Sequence, residues 1–221
     1  MNRRVAKILF ALSGCATVFL LLYEPKDERL VSEGEKYMFG ENTAVDYQKA
    51  MEYFGRAAEM GNAEAYFYMA GCWLHGCGVE RDTLRAVEYY RRAAESGLPD
   101  AQYHLGLLYQ YGIGLEEDAV EAAGWFRKAA DELFPEAQAQ LGTCYETGYG
   151  VGQDYGKAVR YYRYAARQGV PRAQYNLANC YLNGTGVRQN VRMAVKYYHR
   201  AARQGMFEAK DVLEYLSDNG L

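Results

Sequence analysis

The chain has 221 residues, 22 of them tyrosine and only 4 proline, and its formal net charge is −3 at pH 7. This length is ample for a domain with a buried core, and the composition argues against a long disordered or low-complexity segment. The charge is unevenly distributed. Residues 24–150 hold 23 acidic and 11 basic residues, whereas residues 151–205 hold 10 basic residues and one acid, Asp154. In an elongated fold this pattern predicts an acidic end and a basic end.

At the N-terminus, three basic residues (Arg3, Arg4 and Lys7) precede an uncharged run over residues 8–23. At a rise of about 1.5 Å per residue, this run extended back to residue 5 nearly spans a hydrocarbon core of about 30 Å. The pattern favours an uncleaved signal anchor that inserts through residues 5–23 and leaves the rest outside the cytoplasm. Two alternatives stay open: a cleaved signal peptide, although bulky residues end the run, and a lipoprotein acylated on Cys15. We assign residues 1–26 to this anchor or signal segment.

The remainder of the sequence repeats with a period of 36 residues. In every unit an alanine is followed three residues later by two aromatic residues and then by an Ala-Ala pair, as in Ala122, Trp125-Phe126 and Ala129-Ala130. This periodicity indicates an array of one supersecondary unit. Gly-x-Gly pairs recur at the same interval without a preceding strand or a complete phosphate-loop motif. We therefore interpret them as helix stops; they are Gly76/Gly78, Gly112/Gly114, Gly148/Gly150 and Gly184/Gly186.

The residue pattern of each unit predicts two helices. The first, helix A, is exemplified by residues 100–111, where Ala101, Leu105 and Leu108 share one face. The second, helix B, ends at a glycine except in the third unit, where Leu133 stands and an altered junction is expected. Helix B begins at a column of residues that favour the N-cap position. This column comprises Asp46, Asp82, Asp118, Asp154 and Asn190.

These columns, Ala-x-x-x-Leu-Gly-x-x-Tyr at 101–109 and Ala-x-x-Trp-Phe-x-x-Ala-Ala at 122–130 among them, resemble the Sel-one-like repeat (SLR) family, a relative of the tetratricopeptide repeat. The resemblance covers about residues 29–213. It implies an all-α, right-handed α-solenoid over residues 27–221, with about five units and a C-terminal capping helix. It also implies a protein that binds other proteins.

Catalysis has little support in the sequence. No serine begins Ser-x-x-Lys, and the three histidines show no metal-ligand spacing, so we expect no metal and no cofactor. Cys72, Cys144 and Cys180 share a column with Leu108 and are interpreted as core residues, while a Cys72–Cys77 disulfide stays open. Because some members of the family have been labelled β-lactam-hydrolysing, the alternative function is a secreted or lipid-anchored hydrolase acting on cell-wall-like substrates.

In the related repeats, helix A lines the concave face of the solenoid. Carried onto this sequence, the resemblance predicts an aromatic and amide groove suited to an extended peptide, because amides can satisfy a peptide backbone and tyrosines supply contact area. Packing of some of these tyrosines against the neighbouring unit is the alternative. The groove residues are Phe67, His75, Tyr103, Leu107, Gln110, Tyr111, Glu146, Thr147, Tyr175, Asn179 and Asn183.

Basic residues recur every three or four positions on the last two B helices. They form either a solvated outer face or a stripe that docks an acidic partner or the acidic end of another copy, head to tail. No nucleic-acid-binding motif occurs. The stripe comprises Arg160, Arg163, Arg167, Arg192, Lys196, Arg200 and Arg203.

The sequence therefore predicts a membrane-anchored scaffold, most consistent with a bacterial periplasm. Three alternatives stay open: a lipoprotein, a secreted protein, and a eukaryotic membrane adaptor of mitochondria or the secretory pathway.

Overall fold

The computed structural model describes residues 25–218, and every regular element in this part of the chain is α-helical. Within the described residues the chain forms two compact units, residues 25–86 and 87–218. Eleven helices lie in the described range: α1 (Lys26–Phe39), α2 (Tyr47–Ala58), α3 (Ala63–His75), α4 (Thr83–Glu95), α5 (Pro99–Tyr111), α6 (Ala119–Asp131), α7 (Pro135–Thr147), α8 (Tyr155–Arg167), α9 (Pro171–Asn183), α10 (Val191–Arg203) and α11 (Phe207–Asp218).

Consecutive helices pack as hairpins. In the first unit α1 packs on α2, and in the second unit α5 packs on α6, α7 on α8 and α9 on α10. Smaller contacts join each of these hairpins to the next helix along the chain, and α11 packs on α10 after the last hairpin. The prediction of helix-turn-helix repeats is confirmed, and within the second unit the hairpins stack in sequence as they do in a solenoid.

The two glycines of the Gly-x-Gly turn at residues 148–150 have different roles. Gly148 ends α7 with a φ of 78°, a left-handed conformation that costs glycine little, and its N–H donates to the carbonyl of Cys144 at 2.8 Å. Two residues on, a Cβ at Gly150 would lie 1.8 Å from the carbonyl oxygen of Ala119. The turn therefore stops the helix and also lets the backbone lie against the preceding hairpin, which confirms the helix-stop interpretation.

The N-cap column also behaves as predicted. The carboxylate of Asp154 accepts a hydrogen bond from the backbone N–H of Lys157 at 2.9 Å, and this bond lowers the pKa of Asp154. Such a bond satisfies a backbone donor that has no partner within the helix. The equivalent bond occurs at Asp46, Asp82, Asp118 and Asn190.

The third unit retains its turn despite lacking the glycine. Leu133 adopts a φ of 64°, its N–H donates to Ala130, and the N–H of Phe134 donates to Ala129. Gly169 and Val170 make the same two bonds one repeat later. The turn is therefore kept, since leucine accepts the left-handed conformation at a cost of about 1–2 kcal/mol, and a different angle at this junction stays a prediction.

Close contact within a hairpin depends on a small residue in helix A. A Cβ at Gly142 would lie 2.7 Å from the ring of Tyr162, which is fully buried. The hydroxyl of Tyr162 donates to Glu146 Oε2 at 2.5 Å, and burial raises its pKa. On the same hairpin the rings of Tyr145 and Tyr161 stack with their centroids 5.7 Å apart. Aromatic residues from both helices thus fill the hairpin.

The proposed membrane segment and its candidate acylation site, Cys15, lie outside the described residues. Between residues 25 and 218, no helix is both long enough and apolar enough to cross a bilayer.

Candidate functional site: the exposed face of helix A

One face of each helix A is turned away from the core. In the second unit this face consists of residues spaced i, i+4, i+7 and i+11, which share one side of a helix. All of them are half-buried or exposed, whereas the alanine, leucine and small residues on the opposite side are buried. We call these positions the A-face. It comprises Asp100, His104, Leu107 and Tyr111 on α5; Glu136, Gln140, Thr143 and Thr147 on α7; and Arg172, Asn176, Asn179 and Asn183 on α9.

Five of the predicted groove residues of the second unit lie on the A-face: Leu107, Tyr111, Thr147, Asn179 and Asn183. Tyr111 is 63% exposed. The amide oxygen of Asn179 accepts from the hydroxyl of Tyr198 at 2.5 Å, so the underlying helix B orients this amide. In the first unit, His75 is exposed at the equivalent position of α3.

The predicted tyrosines Tyr103 and Tyr175 lie beside the A-face and pack between helices. The ring centroid of Tyr103 is 5.8 Å from that of Phe126 and 5.5 Å from that of Phe134. Burial, followed by the charge of Glu136, raises the pKa of Tyr103. Tyr175 meets Tyr198 edge-on at 5.7 Å. Both side chains are half-buried, so packing accounts for much of their surface.

The remaining predicted groove residues also have partners in the fold. Gln110 Oε1 accepts from Gln140 at 2.9 Å, and Glu146 accepts from Tyr162. Phe67, in the first unit, meets the neighbouring Tyr68 ring edge-on at 5.7 Å.

Several A-face residues were not among the predicted groove residues, notably His104, Gln140, Thr143 and Asn176. A step back of three or four residues from Leu107, Thr147 and Asn179 finds His104, Thr143 and Asn176, and a further step of three from Thr143 finds Gln140. His104 Nδ1 lies 2.8 Å from the carbonyl oxygen of Asp100, and its ring stacks on Tyr90. The side-chain amides of Asn176 and Asn183, by contrast, make no hydrogen bond within residues 25–218.

The seven predicted basic residues fall into two groups. Arg163 is half-buried and donates to the hydroxyl of Tyr181 at 3.4 Å, in the next hairpin. Arg91 and Arg127 donate in the same way to Tyr109 and Tyr145, at 2.8 and 3.2 Å. This column therefore joins successive hairpins. The other predicted basic residues are exposed and form no ion pair with a carboxylate in residues 25–218: Arg160, Arg167, Arg192, Lys196, Arg200 and Arg203.

The Sel1 repeat model matches five segments, residues 34–62, 63–98, 99–132, 135–170 and 171–206, which together are well over half of the chain. The protein belongs to the Sel1 repeat family. This confirms the resemblance described above. A comparison with curated proteins finds no match.

Several solved bacterial structures are similar to this chain. The crystal structure of c5321, a protective antigen of uropathogenic Escherichia coli strains, is 33% identical and superposes with a TM-score of 0.84; the alignment covers 89% of this chain but 42% of c5321. A Sel1 repeat protein from Oxalobacter formigenes is 31% identical over 86% of this chain and 76% of its own, with a TM-score of 0.80. The immunity protein PA5088 from Pseudomonas aeruginosa is 25% identical over 84% of this chain and 68% of its own, with a TM-score of 0.57.

Three of the four cysteines in residues 25–218 of this Sel1 repeat protein lie in the repeat core. Cys72, Cys144 and Cys180 are buried free thiols, and Cys77 is a half-buried free thiol. Burial raises the pKa of Cys144 to about 11 and those of Cys72 and Cys180 to about 12, which keeps the thiols protonated and unreactive at neutral pH. Within residues 25–218 no three His, Cys, Asp or Glu side chains are grouped so that they could hold a metal ion. Nothing in the geometry of this range favours the hydrolase alternative.

Proposed function

We propose that this Sel1 repeat protein is a scaffold that holds an extended segment of another protein on the A-face of α7 and α9. Sel1 repeats generally mediate protein–protein interaction. The observation that supports this particular face is the pair of exposed or half-buried amides, Asn176 and Asn183, which have no hydrogen-bond partner in residues 25–218. A primary amide offers both donors and an acceptor, which is what a peptide backbone needs.

The spacing of these amides suits an extended chain. Asn176 and Asn183 are seven residues apart on α9, or about 10.5 Å along the helix axis. An extended peptide advances about 3.3 Å per residue, so the two amides would contact backbone groups about three residues apart. The A-face of α7 carries the polar side chains of Gln140, Thr143 and Thr147, which donate hydrogen bonds to Gln110, Ala139 and Thr143 respectively. The centre of this surface is uncharged, which favours a neutral segment over a charged terminus.

The location of the repeats is part of the same proposal. A signal anchor over residues 5–23 would hold the repeats outside the cytoplasm, in a bacterial periplasm. The basic residues ahead of the apolar run support this orientation, and the similar solved structures described above come from bacteria. Alkaline extraction of membranes and protease protection in spheroplasts test it, since an anchored periplasmic domain resists extraction and is cleaved from outside.

Site-directed photocrosslinking tests the peptide surface. A photoreactive amino acid replaces Thr147, which is exposed at the end of α7, in the full chain in its native membranes, and crosslinked proteins are identified by mass spectrometry. We expect a defined partner whose yield falls at least fivefold when Asn176→Ala and Asn183→Ala are combined. The matched control is Gln48→Ala, which removes an exposed amide from α2. If the double variant and the Gln48→Ala control capture the partner equally well, the A-face is not the binding surface.

A further inference from the structure

A cleft of about 410 Å³ is formed by α8 together with the junction between α6 and α7. Three residues of α8 line it, Arg160, Tyr164 and Arg167. They are spaced i, i+4 and i+7, so they share one side of the helix, and all three are exposed, Tyr164 by 40%. The junction contributes Asp131 and Leu133. None of the residues that line the cleft belongs to the A-face, so this site is separate from the surface proposed above.

Leu133 is the unusual residue of this cleft. Its φ of 64° is sterically unfavourable for leucine, and glycine occupies the equivalent position at Gly97 and Gly169. The turn therefore does not need this side chain. Because the leucine is 69% exposed, burial within the fold offsets little of the strain. A strained and exposed residue of this kind points to a functional role, and here it gives the cleft an apolar wall.

The two arginines supply positive charge that is not neutralised within the fold. Neither Arg160 nor Arg167 forms an ion pair with a carboxylate in residues 25–218, and α8 contains no acidic residue. The Arg160 guanidinium lies 5.7 Å from the ring centroid of Tyr161 and 5.9 Å from that of Tyr164. These contacts position the guanidinium and leave its charge in place. The cleft is therefore suited to an anionic ligand.

The equivalent positions in the neighbouring repeats lack this combination of side chains. One repeat earlier, Gly124 and Asp131 stand in place of the two arginines. One repeat later, Gly169 stands in place of the leucine and Arg200 in place of Tyr164. Among these three successive repeats, two cations are joined to an aromatic ring and a leucine at this cleft alone.

We propose that this cleft binds an extended acidic segment of another protein, in which an apolar side chain lies between two carboxylates. The carboxylates pair with Arg160 and Arg167, and the apolar side chain packs against Leu133 and Tyr164. The two arginines are seven residues apart, or about 10.5 Å along the helix axis. In an extended chain the residues i, i+2 and i+4 point to the same side, and the outer two lie about 13 Å apart. Two long arginine side chains span this small difference.

The chemistry of the cleft sets the expected strength of binding. Ion pairs at an exposed site are weak and are screened by salt. The apolar contact must therefore supply much of the affinity, which explains why a leucine at the glycine position matters. A short acidic peptide should bind weakly, and its affinity should fall as the ionic strength rises.

A synthetic peptide tests the site in the full chain. The probe is the end-blocked peptide Ser-Asp-Ser-Phe-Ser-Asp-Ser, and two control peptides replace both aspartates with asparagine or the phenylalanine with serine. Each peptide is titrated into full-length protein that carries a dye at its C-terminus, in a neutral detergent at low and high ionic strength. Microscale thermophoresis measures the dissociation constant.

Two variants remove the two halves of the site. The first combines Arg160→Gln and Arg167→Gln, and the second is Leu133→Gly, which restores the glycine found in the other repeats. The matched control combines Lys196→Gln and Arg203→Gln, which removes the same charge at the corresponding positions of α10. Circular dichroism checks that all chains are folded.

We expect the wild type and the α10 control to bind the probe equally, with a dissociation constant below about 1 mM at low salt. The arginine variant should bind at least roughly tenfold more weakly. Leu133→Gly should bind at least roughly threefold more weakly, because the apolar wall is lost while both cations remain. Both control peptides should bind the wild type more weakly than the probe does.

Four results overturn the proposal: a wild type that does not bind the probe, an α10 control that is as weak as the arginine variant, a Leu133→Gly variant that binds as tightly as the wild type, or an asparagine peptide that binds as tightly as the probe. A short-chain phosphatidylserine, titrated in the same way, tests a membrane surface. If this lipid binds the wild type but not the arginine variant, while the peptide binds neither, the cleft takes a lipid headgroup and the proposal is wrong.

Discussion

Gln168 donates a hydrogen bond from its side-chain amide to Oε1 of the buried Gln138, at 2.8 Å. Gln138 in turn donates to the carbonyl oxygen of Ala130 at 3.4 Å. The same chain of bonds links Gln204, Gln174 and Ala166 one repeat later. These glutamines connect the end of one helix B to the next hairpin and satisfy polar groups that would otherwise be buried without partners.

This chain of hydrogen bonds is incomplete one repeat earlier, where Glu132 stands in place of glutamine. Gln102 donates to Ala94, but its buried Oε1 accepts no hydrogen bond, since an ionised carboxylate is not a donor. Glu132 and Gln168 have similar backbone conformations, with φ of −81° and −83°. We expect Glu132→Gln to raise the free energy of unfolding by about 1 kcal/mol, measured by urea denaturation. Gln168→Glu, the reverse change at an intact site, should lower it by about 1–2 kcal/mol.

The left-handed residue at the end of α6 allows a second test. Leu133→Gly removes the steric cost of a φ of 64° and should stabilise the fold by up to about 1 kcal/mol, since glycine also loses more backbone entropy on folding. Gly169→Leu places leucine at a φ of 99° and should destabilise by at least about 1 kcal/mol. Thermal denaturation of both variants measures these effects. A loss of stability in Leu133→Gly would show that the leucine contributes more packing than strain.

Two glycines within helices should respond to alanine in opposite directions. Gly142→Ala sets a Cβ 2.7 Å from the Tyr162 ring, so we expect a loss of about 1–3 kcal/mol from overpacking. Gly124→Ala adds a methyl group where no atom lies within 4 Å and should gain about 0.5–1 kcal/mol from helix propensity. Urea denaturation of both variants checks the signs, and similar values would contradict the packing described for α7 and α8.

Alkaline pH should destabilise the fold through its buried thiols and phenols. Burial raises the pKa of Cys144 to about 11 from an ordinary value of 9.0, and that of Tyr198 to about 12 from 10.0. The stability that each group contributes is fully present below its unfolded pKa and is lost as the pH rises towards the folded value, because the unfolded state releases its proton first. The free energy of unfolding should therefore be level near neutral pH and fall above about pH 9. The free energy of unfolding of the Cys144→Val variant should fall less steeply with pH. A slope equal to that of the wild type would contradict the burial of this thiol.

The architecture was predictable because it depends on local rules repeated every 36 residues. Asp154 caps a helix through its own nearby backbone, and Gly148 ends one because it accepts a left-handed conformation at little cost. Neither requires knowledge of a distant residue. Leu133 is the converse case: the sequence indicated a missing helix stop, but hydrogen bonds from Leu133 and Phe134 to the end of α6 hold the turn despite the unfavourable side chain.

The site was less predictable because neighbouring positions on one helix meet different partners. Tyr175 and Asn176 are adjacent in sequence, yet Tyr175 packs on Tyr198 while Asn176 reaches the A-face. Arg163 and Arg160 are three residues apart on α8, yet Arg163 bonds the next hairpin and Arg160 stays exposed.

The periodic residues of the chain therefore suffice to specify the helices, their caps and their order, since these depend on contacts within one hairpin. Which polar and aromatic side chains remain available to a partner depends on how each hairpin covers the one before it. Successive side chains are rotated by about 100° around the helix axis. One side chain therefore lies in the contact between two hairpins while the next one points away from it.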